Sequence, residues 1–221
     1  MKTLQAGSVD LILCDLPYGT TACSWDKRIP MAELWAEYKR IIKDNGAILL
    51  FAQQPFATDL INAGRTMFRH EIVWEKSRAT GFLNANKMPL RAHELILVFY
   101  KKLPTYNPQF SLGTAYTSKG KGTTSIYSKT ERTDTINTGY RYPRDVVRYN
   151  MAVEDGYYHP TQKPLALLRY LIKTYSNEGD LVLDNCCGSG SACLAAKQTG
   201  CRWLGIELDI GYNKIAVERC R

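Results

Sequence analysis

Apolar positions along the chain come as short unbroken runs separated by stretches with helical spacing. The first run, VDLILC over 9–14, lies between Gly7-Ser8 and Pro17-Tyr18-Gly19, and reads as a buried parallel strand ending in a tight loop. Leu34, Trp35, Tyr38, Ile41 and Ile42 recur at helical spacing, and Asn45-Gly46 predicts where that helix stops. A crossover to a strand over 47–51 then gives the right-handed unit of a parallel sheet. Gln53, Gln54 and Pro55 start a short helix ending near Gly64. Residues 68–74 and 94–100 read as strands, expected as an antiparallel pair closing one side of the sheet. The loop between them carries Lys76, Arg78, Lys87 and Arg91, and His93 reads as a structural hydrogen-bonding residue.

Beyond residue 100 the periodicity vanishes until 159, where Gly, Ser, Thr, Tyr and Lys dominate. The rhythm returns with a helix opened by Pro164, whose Leu165, Leu168, Leu171, Ile172 and Tyr175 share a face and which Gly179 follows. A strand over 181–184, a Gly188-Ser189-Gly190 turn, a helix running to Gly200 and a strand over 202–206 complete the chain, making six strands in all.

Composition narrows the setting. The 221 residues suffice for one well-buried α/β domain with a small insertion, and 45% hydrophobic with 23% charged residues is ordinary for a globular protein. About half of the net charge of +8 lies in 101–158, a quarter of the chain, interleaved with Tyr106, Tyr116, Tyr127, Tyr140, Tyr142 and Tyr149. That mixture suits phosphate contact with stacking, so a polyanionic partner is expected there, against a plain surface insertion as the alternative. Seven cysteines form no C-x-x-C pair and no zinc spacing, which points to buried thiols in a reducing cytoplasm. No apolar stretch reaches membrane-spanning length and no signal-peptide pattern is found, so no membrane partner is expected.

The candidate chemistry begins at Asp15-Leu16-Pro17-Tyr18, at the carboxyl end of the first strand, where open α/β sheets bind their ligands. The Asp15 carboxylate and the Leu16 carbonyl are two acceptors beside an aromatic face, a set suited to a planar base with an exocyclic amino group. Asp15 as a cap and Tyr18 as an ordinary pocket aromatic is the competing reading. Trp25 is a candidate cover for such a base, with packing as its alternative. Downstream, two glycines at a strand-to-helix turn let backbone N–H groups meet an anionic group, and Glu207, roughly 20 residues on, stands where an acid binds a ribose diol. A nicotinamide dinucleotide would suit the same turn, but Cys193 replaces the third glycine of G-x-G-x-x-G.

Taken in order, Asp15-Leu16-Pro17-Tyr18, His159-Pro160-Thr161-Gln162-Lys163-Pro164 and Asp184-Asn185-Cys186-Cys187-Gly188-Ser189-Gly190 resemble the permuted amino-methyltransferases of DNA. The resemblance covers nearly the whole chain. It implies an α/β, Rossmann-like, S-adenosylmethionine-dependent methyltransferase sheet, mostly parallel with an antiparallel strand pair, circularly permuted, with an inserted target-recognition region. On that pattern 1–100 is the catalytic part, 101–158 the target-recognition region and 159–221 the cofactor-binding part. Asp15, Leu16, Pro17 and Tyr18 would be catalytic; Asp184, Gly188, Ser189, Gly190, Glu207, Lys163 and Thr161 would hold S-adenosylmethionine; Lys119, Lys121, Arg141 and Arg144 would contact DNA.

The implied activity is methylation of adenine N6 in flipped-out bases of double-stranded DNA, adenine being favoured over cytosine N4 because Asp leads the catalytic loop. RNA or protein-glutamine methylation fits the permuted order with a basic insertion less well. A homodimer and a cognate restriction enzyme are partners the family allows, and the setting is a bacterial cytoplasm or that of a phage host. Three departures from the pattern stand out: Leu16 replaces a proline, Asn185-Cys186 replaces Pro-Phe, and only a few residues precede Ser8, where the family has a strand and a Gly-Asp pair. The last predicts either an internal start or weak cofactor binding, and keeps a non-catalytic DNA-binding relic as a rival.

Overall fold

The structure is a computed structural model that describes the chain except residues 22, 24, 25, 121, 122, 125–129, 132, 152, 153 and 155. Strand β1 (Val9–Asp15) alternates its side chains between two buried layers, as the two-residue period of a strand requires. Ile12 and Cys14 join Leu34, Trp35 and Tyr38 of helix α1 (Met31–Ile41) and Phe56, Ala57 and Leu60 of helix α2 (Phe56–Ala63). Leu11 and Leu13 join the opposite layer, with Leu165, Leu168, Leu171 and Ile172 of helix α3 (Leu165–Tyr175) and Ala192, Ala195 and Ala196 of helix α4 (Ser191–Gln198). Helices therefore cover both faces, which is why β1 reads as an unbroken apolar run.

The remaining strands of this sheet are β2 (Ile42–Ala52), β3 (Phe68–Thr80), β4 (Arg91–Phe99), β5 (Val146–Tyr149), β6 (Leu181–Asp184) and β7 (Arg202–Gly205). Their order is β5-β3-β4-β2-β1-β6-β7, seven strands among the described residues. Parallel pairing joins β1 to β2 and β6, β6 to β7, and β5 to β3, while β4 runs antiparallel to β2 and β3. The fold is the expected α/β sheet with its antiparallel pair. Helix α5 (Ile210–Arg219) packs Ala216 with Cys187, Cys193 and Cys220. Among the described residues no helix is long and apolar enough to cross a membrane.

Three local expectations change. The sheet has a seventh strand, β5, in the region expected to be irregular; its four residues are too few to show a period, and it is placed by β3, with Val73 N donating to Asp145 O at 2.7 Å and Trp74 Nε1 to Tyr149 O at 3.0 Å. Helix α1 ends at Ile41, before Asn45-Gly46, because Ile42 is extended and pairs with Val9. Gly46 instead lies where the β1–β2 register shifts, and a Cβ there would sit 2.7 Å from Asp10 O. The hairpin strands also run past residues 74 and 94 to Thr80 and Arg91.

The chain divides into two compact units, 1–107 with 145–221, and 108–144. Among its described residues the second has three short antiparallel ladders: Ser111–Leu112 with Tyr140–Arg141, Tyr116–Ser118 with Thr135–Asn137, and Thr123–Thr124 with Thr130–Glu131.

Gly64 caps α2 with φ −101°, a backbone any residue adopts, but a Cβ there would overlap the buried Trp35 ring and lie 2.9 Å from Phe99 Cε1. Gly64→Ala is therefore expected to destabilise the protein by about 2 kcal/mol through overpacking, read as a midpoint shift in urea unfolding with an unchanged slope.

Candidate active site

Asp15 is the last residue of β1 and registers with Phe51 of β2, so the strand tip carries its carboxylate to the carboxyl edge of the sheet. Oδ1 accepts from the Tyr18 hydroxyl at 3.0 Å and Oδ2 from Lys163 Nζ at 2.5 Å. Tyr18 lies against Phe56, ring centroids 5.1 Å apart, and the Leu16 side chain is buried in the core layer of α1 and α2. Asp26 fixes the loop that follows: its carboxylate accepts from Gly19 N, Thr20 N and Thr21 N at 2.7–2.8 Å. Partial burial acts to raise this carboxyl, but the Gly19, Thr20 and Thr21 bonds hold it below the ordinary aspartate range. Arg28 Nε adds a bond to Tyr18 O at 2.8 Å. Trp25 lies outside the described residues.

Behind Asp15 sits a second carboxylate that the motifs did not single out. Glu94, on β4, accepts at Oε1 from Gln53 Nε2 at 3.1 Å and Lys76 Nζ at 3.2 Å, and its Oε2 lies 3.5 Å from Lys163 Nζ. Lys163 is thus held between two carboxylates, 5.1 Å from the centre of the Phe51 ring. Burial pushes the Asp15 carboxyl up against the pull of Lys163. Burial acts in the same direction on Glu94, yet Lys163 and Lys76 hold it below its usual range. Burial would lower Lys163, but Asp15 and Glu94 keep its ammonium above the ordinary value.

The glycine turn lies at the tips of the next strands. Asp184 ends β6, is buried, and accepts from Cys186 N at 3.0 Å; burial pushes its carboxyl up to about 7. Glu207, just past β7, accepts from Gly188 N at 2.7 Å and Asp209 N at 2.9 Å, so it is fastened to the turn itself. Gly188 and Gly190 have φ of +49° and +83°, and at Gly190 a Cβ would meet Ala216 Cα at 2.9 Å, so only glycine fits. Ser189 is buried, with Oγ accepting from Arg219 Nη1 at 3.0 Å.

The segment carrying Lys163 reaches the turn through His159, whose ring lies 4.5 Å from that of Tyr212 and 3.7 Å from the Cβ position of Gly188. Thr161 is exposed and its Oγ1 lies 3.0 Å from His159 Nδ1, so its contact is with that imidazole. Asp15, Asp184, Gly188, Glu207 and Lys163 share one edge of the sheet. Neither His159 nor Glu94 had a role assigned from sequence: His159 opens the His159–Pro164 motif without a chemistry of its own there, and Glu94 looks like an ordinary strand-edge acid.

Of the basic positions, Lys119 and Arg144 are exposed, and Arg141 lies 4.9 Å over the Tyr116 ring while donating to Asn137 Oδ1 and Thr114 O. Lys121 lies outside the described residues, as does Tyr127. Among the described residues no group of His, Cys, Asp and Glu could hold a metal ion.

A model of the DNA methylase family, of the N6/N4 type, matches residues 9–218. The chain belongs to the N6/N4 DNA methylase family. A DNA adenine methyltransferase of Escherichia coli K12, YhdJ, is 31% identical over 238 residues, covering 99% of this chain and 78% of that protein. The type II methyltransferase M.HindIII of Haemophilus influenzae is 25% identical over 282 residues, covering 99% and 91%. Among solved structures, an M1.HpyAVI complex with SAM superposes with a TM-score of 0.66 at 23% identity, covering 99% and 90%. The cytosine-N4-specific PvuII DNA methyltransferase gives 0.67 at 14%, covering 99% and 81%. The two solved structures share the fold described above.

The methylase's loop after Tyr18 depends on Asp26. Asp26→Ala is expected to cost about 2 kcal/mol in urea unfolding at neutral pH, because three backbone donors lose a charged acceptor. A carboxyl lowered in the fold stabilises above its unfolded value, so the gap to the unmodified protein should close as pH falls below about 4; a gap constant with pH would refute this role.

Proposed function

We propose that this DNA methylase transfers a methyl group from S-adenosylmethionine to the exocyclic N6 of adenine in duplex DNA. The observation that carries the reading is the juxtaposition of a strand-tip carboxylate, Asp15, with a glycine turn on the strand beside it. The cofactor fits the residues present. Buried Asp184 has a carboxyl raised to about 7, the signature of an anion short of a cation, and the methionine ammonium supplies one. The Gly188–Gly190 turn opens α4, whose first N–H groups have no partner within the helix and suit the methionine carboxylate. Glu207, anchored to Gly188 N and Asp209 N, retains lone pairs for a ribose diol.

When bound, S-adenosylmethionine supplies an electrophilic methyl on sulfur, which the amino nitrogen's lone pair takes while the C–S bond electrons go to sulfur. The chain's residues prepare that nitrogen. Its lone pair is delocalised into the ring, and hydrogen bonds from its two N–H groups to Asp15 and the Leu16 carbonyl turn it toward tetrahedral geometry. Asp15 then accepts the proton that the methylated nitrogen sheds. Tyr18, braced by Phe56, offers the flipped base a stacking face.

Adenine is the favoured base because an aspartate leads the loop and the 31% identical YhdJ is an adenine methyltransferase. The exposed basic residues Lys119 and Arg144, with a net charge of +8, support duplex DNA as the substrate. Type II names among the relatives support a cognate restriction enzyme as partner.

Incubation with duplex DNA and the cofactor, followed by mapping of modified bases, should give N6-methyladenine; N4-methylcytosine alone would refute the adenine reading. Asp15→Ala should lower methyl transfer by roughly a thousandfold with DNA affinity nearly intact. Retained activity removes Asp15 from the mechanism.

Cofactor affinity should strengthen as pH rises through about 7, where Asp184 ionises, and weaken below it by at most roughly tenfold per pH unit. The raised Asp184 carboxyl also makes a contribution to the unliganded fold that is fully favourable below about 4 and declines as pH rises to about 7. Titration calorimetry across this range checks it: Asp184→Asn should flatten the pH dependence, and a flat profile in the unmodified protein would refute the assignment.

A further inference from the structure

The proposed mechanism needs a free acceptor on Asp15, yet Oδ2 already holds the Lys163 ammonium at 2.5 Å. Glu94 offers the way out. Its Oε1 is committed to Gln53 and Lys76, whereas buried Oε2 has only the long 3.5 Å ion pair to the same ammonium. A buried carboxylate oxygen with so long a partner has room for a closer one. Moving Nζ by under about 1 Å would give it the roughly 2.8 Å bond of a charge-assisted pair.

We propose that Glu94 is a positioning residue that receives the Lys163 ammonium when the substrate amino group takes Asp15. Lys163 then has two stations. On Asp15 it occupies Oδ2; drawn to Glu94 it gives up that hydrogen bond and frees the Oδ2 lone pair for the substrate amino group. Lys76 and Gln53 keep Glu94 oriented for the exchange, and Arg91 Nη1 steadies Gln53 through its Oε1 at 3.1 Å. The side chains of Lys76, Glu94 and Lys163 are 2%, 11% and 11% exposed, so water is poorly placed to replace either station.

This inference rests on the methyl-transfer reading above, and its test separates the two. Single-turnover methylation at saturating DNA and cofactor is measured for the unmodified protein, Glu94→Gln, Lys163→Met and the double variant, with cofactor binding and thermal melting as controls. Glu94→Gln, which strands the ammonium on Asp15, should slow the step roughly 30-fold while cofactor affinity stays within about twofold. Once Lys163 is Met there is no ammonium to move, so the double variant should match Lys163→Met within about threefold. Glu94→Asp, with the carboxylate drawn back by one methylene, should give an intermediate loss that Lys163→Met likewise cancels, and it carries the cycle should Glu94→Gln not fold. Independent, multiplying losses in the double variant overturn the inference, as does a Glu94 variant that methylates at the unmodified rate. No methylation by the unmodified protein overturns the function reading, and this inference with it.

Discussion

A buried ammonium shared by two carboxylates is the constraint around which the active edge is built. Lys163 meets Asp15 across 148 positions of sequence, tying the segment that opens α3 to the tip of β1. Such groups leave water at a cost that their attraction only partly offsets, and an apolar substitute of similar shape is often as stable. The pair is therefore a poor device for stability and a specific one for charge. Lys76 and Lys163 together balance Asp15 and Glu94, so the four side chains carry no net charge between them.

The tips of β6 and β7 have the opposite balance. Asp184 and Glu207 lie next to Asp15, and their mutual repulsion adds to the burial that raises Asp184. A chain of net charge +8 thus concentrates acid at one edge of its sheet. On the proposed function such an arrangement would separate two ligands by sign, a cationic cofactor drawn to the acidic strand tips and a polyanion to exposed basic residues. Parallel pairing of β1 with β6 is what allows this, since Leu11↔Val182 and Ile12↔Leu183 bring two distant motifs to the same edge whatever their order in the sequence.

Elements built from long apolar runs were legible in the sequence, because β1 and the helices α1 to α4 are buried on faces whose period can be counted. Strand β5 was not, since Val146–Tyr149 has half-exposed alternation over four residues and is held by Trp74 and Val73. Asn45-Gly46 carried the right signal for a glycine and the wrong element, because close approach to Asp10 and a helix stop ask for the same residue. At the site, the motifs named Asp15, Asp184, Glu207 and Lys163, but no spacing shows that the Lys163 ammonium rests on Asp15. Glu94 shows the general difficulty: its partners Gln53, Lys76 and Lys163 come from three other segments, and no local spacing encodes a meeting of that kind.

The departures from the family pattern make sense as exchanges of one restraint for another. A proline at position 16 would stiffen the loop through its ring; Leu16 instead anchors it by burial among the residues of α1 and α2, while Asp26 and Arg28 hold the backbone that follows. The peptide carbonyl at 16 is common to both residues, so the acceptor survives the change. Asn185 likewise accepts from the buried Tyr38 hydroxyl at 2.6 Å, fixing the strand-to-turn passage through a hydrogen bond to α1 where Pro-Phe would use ring stiffness and packing. Both changes move restraint from the backbone of the loop into its contacts, so the geometry of this site depends on the core layer beneath it more directly than a proline-stiffened loop would.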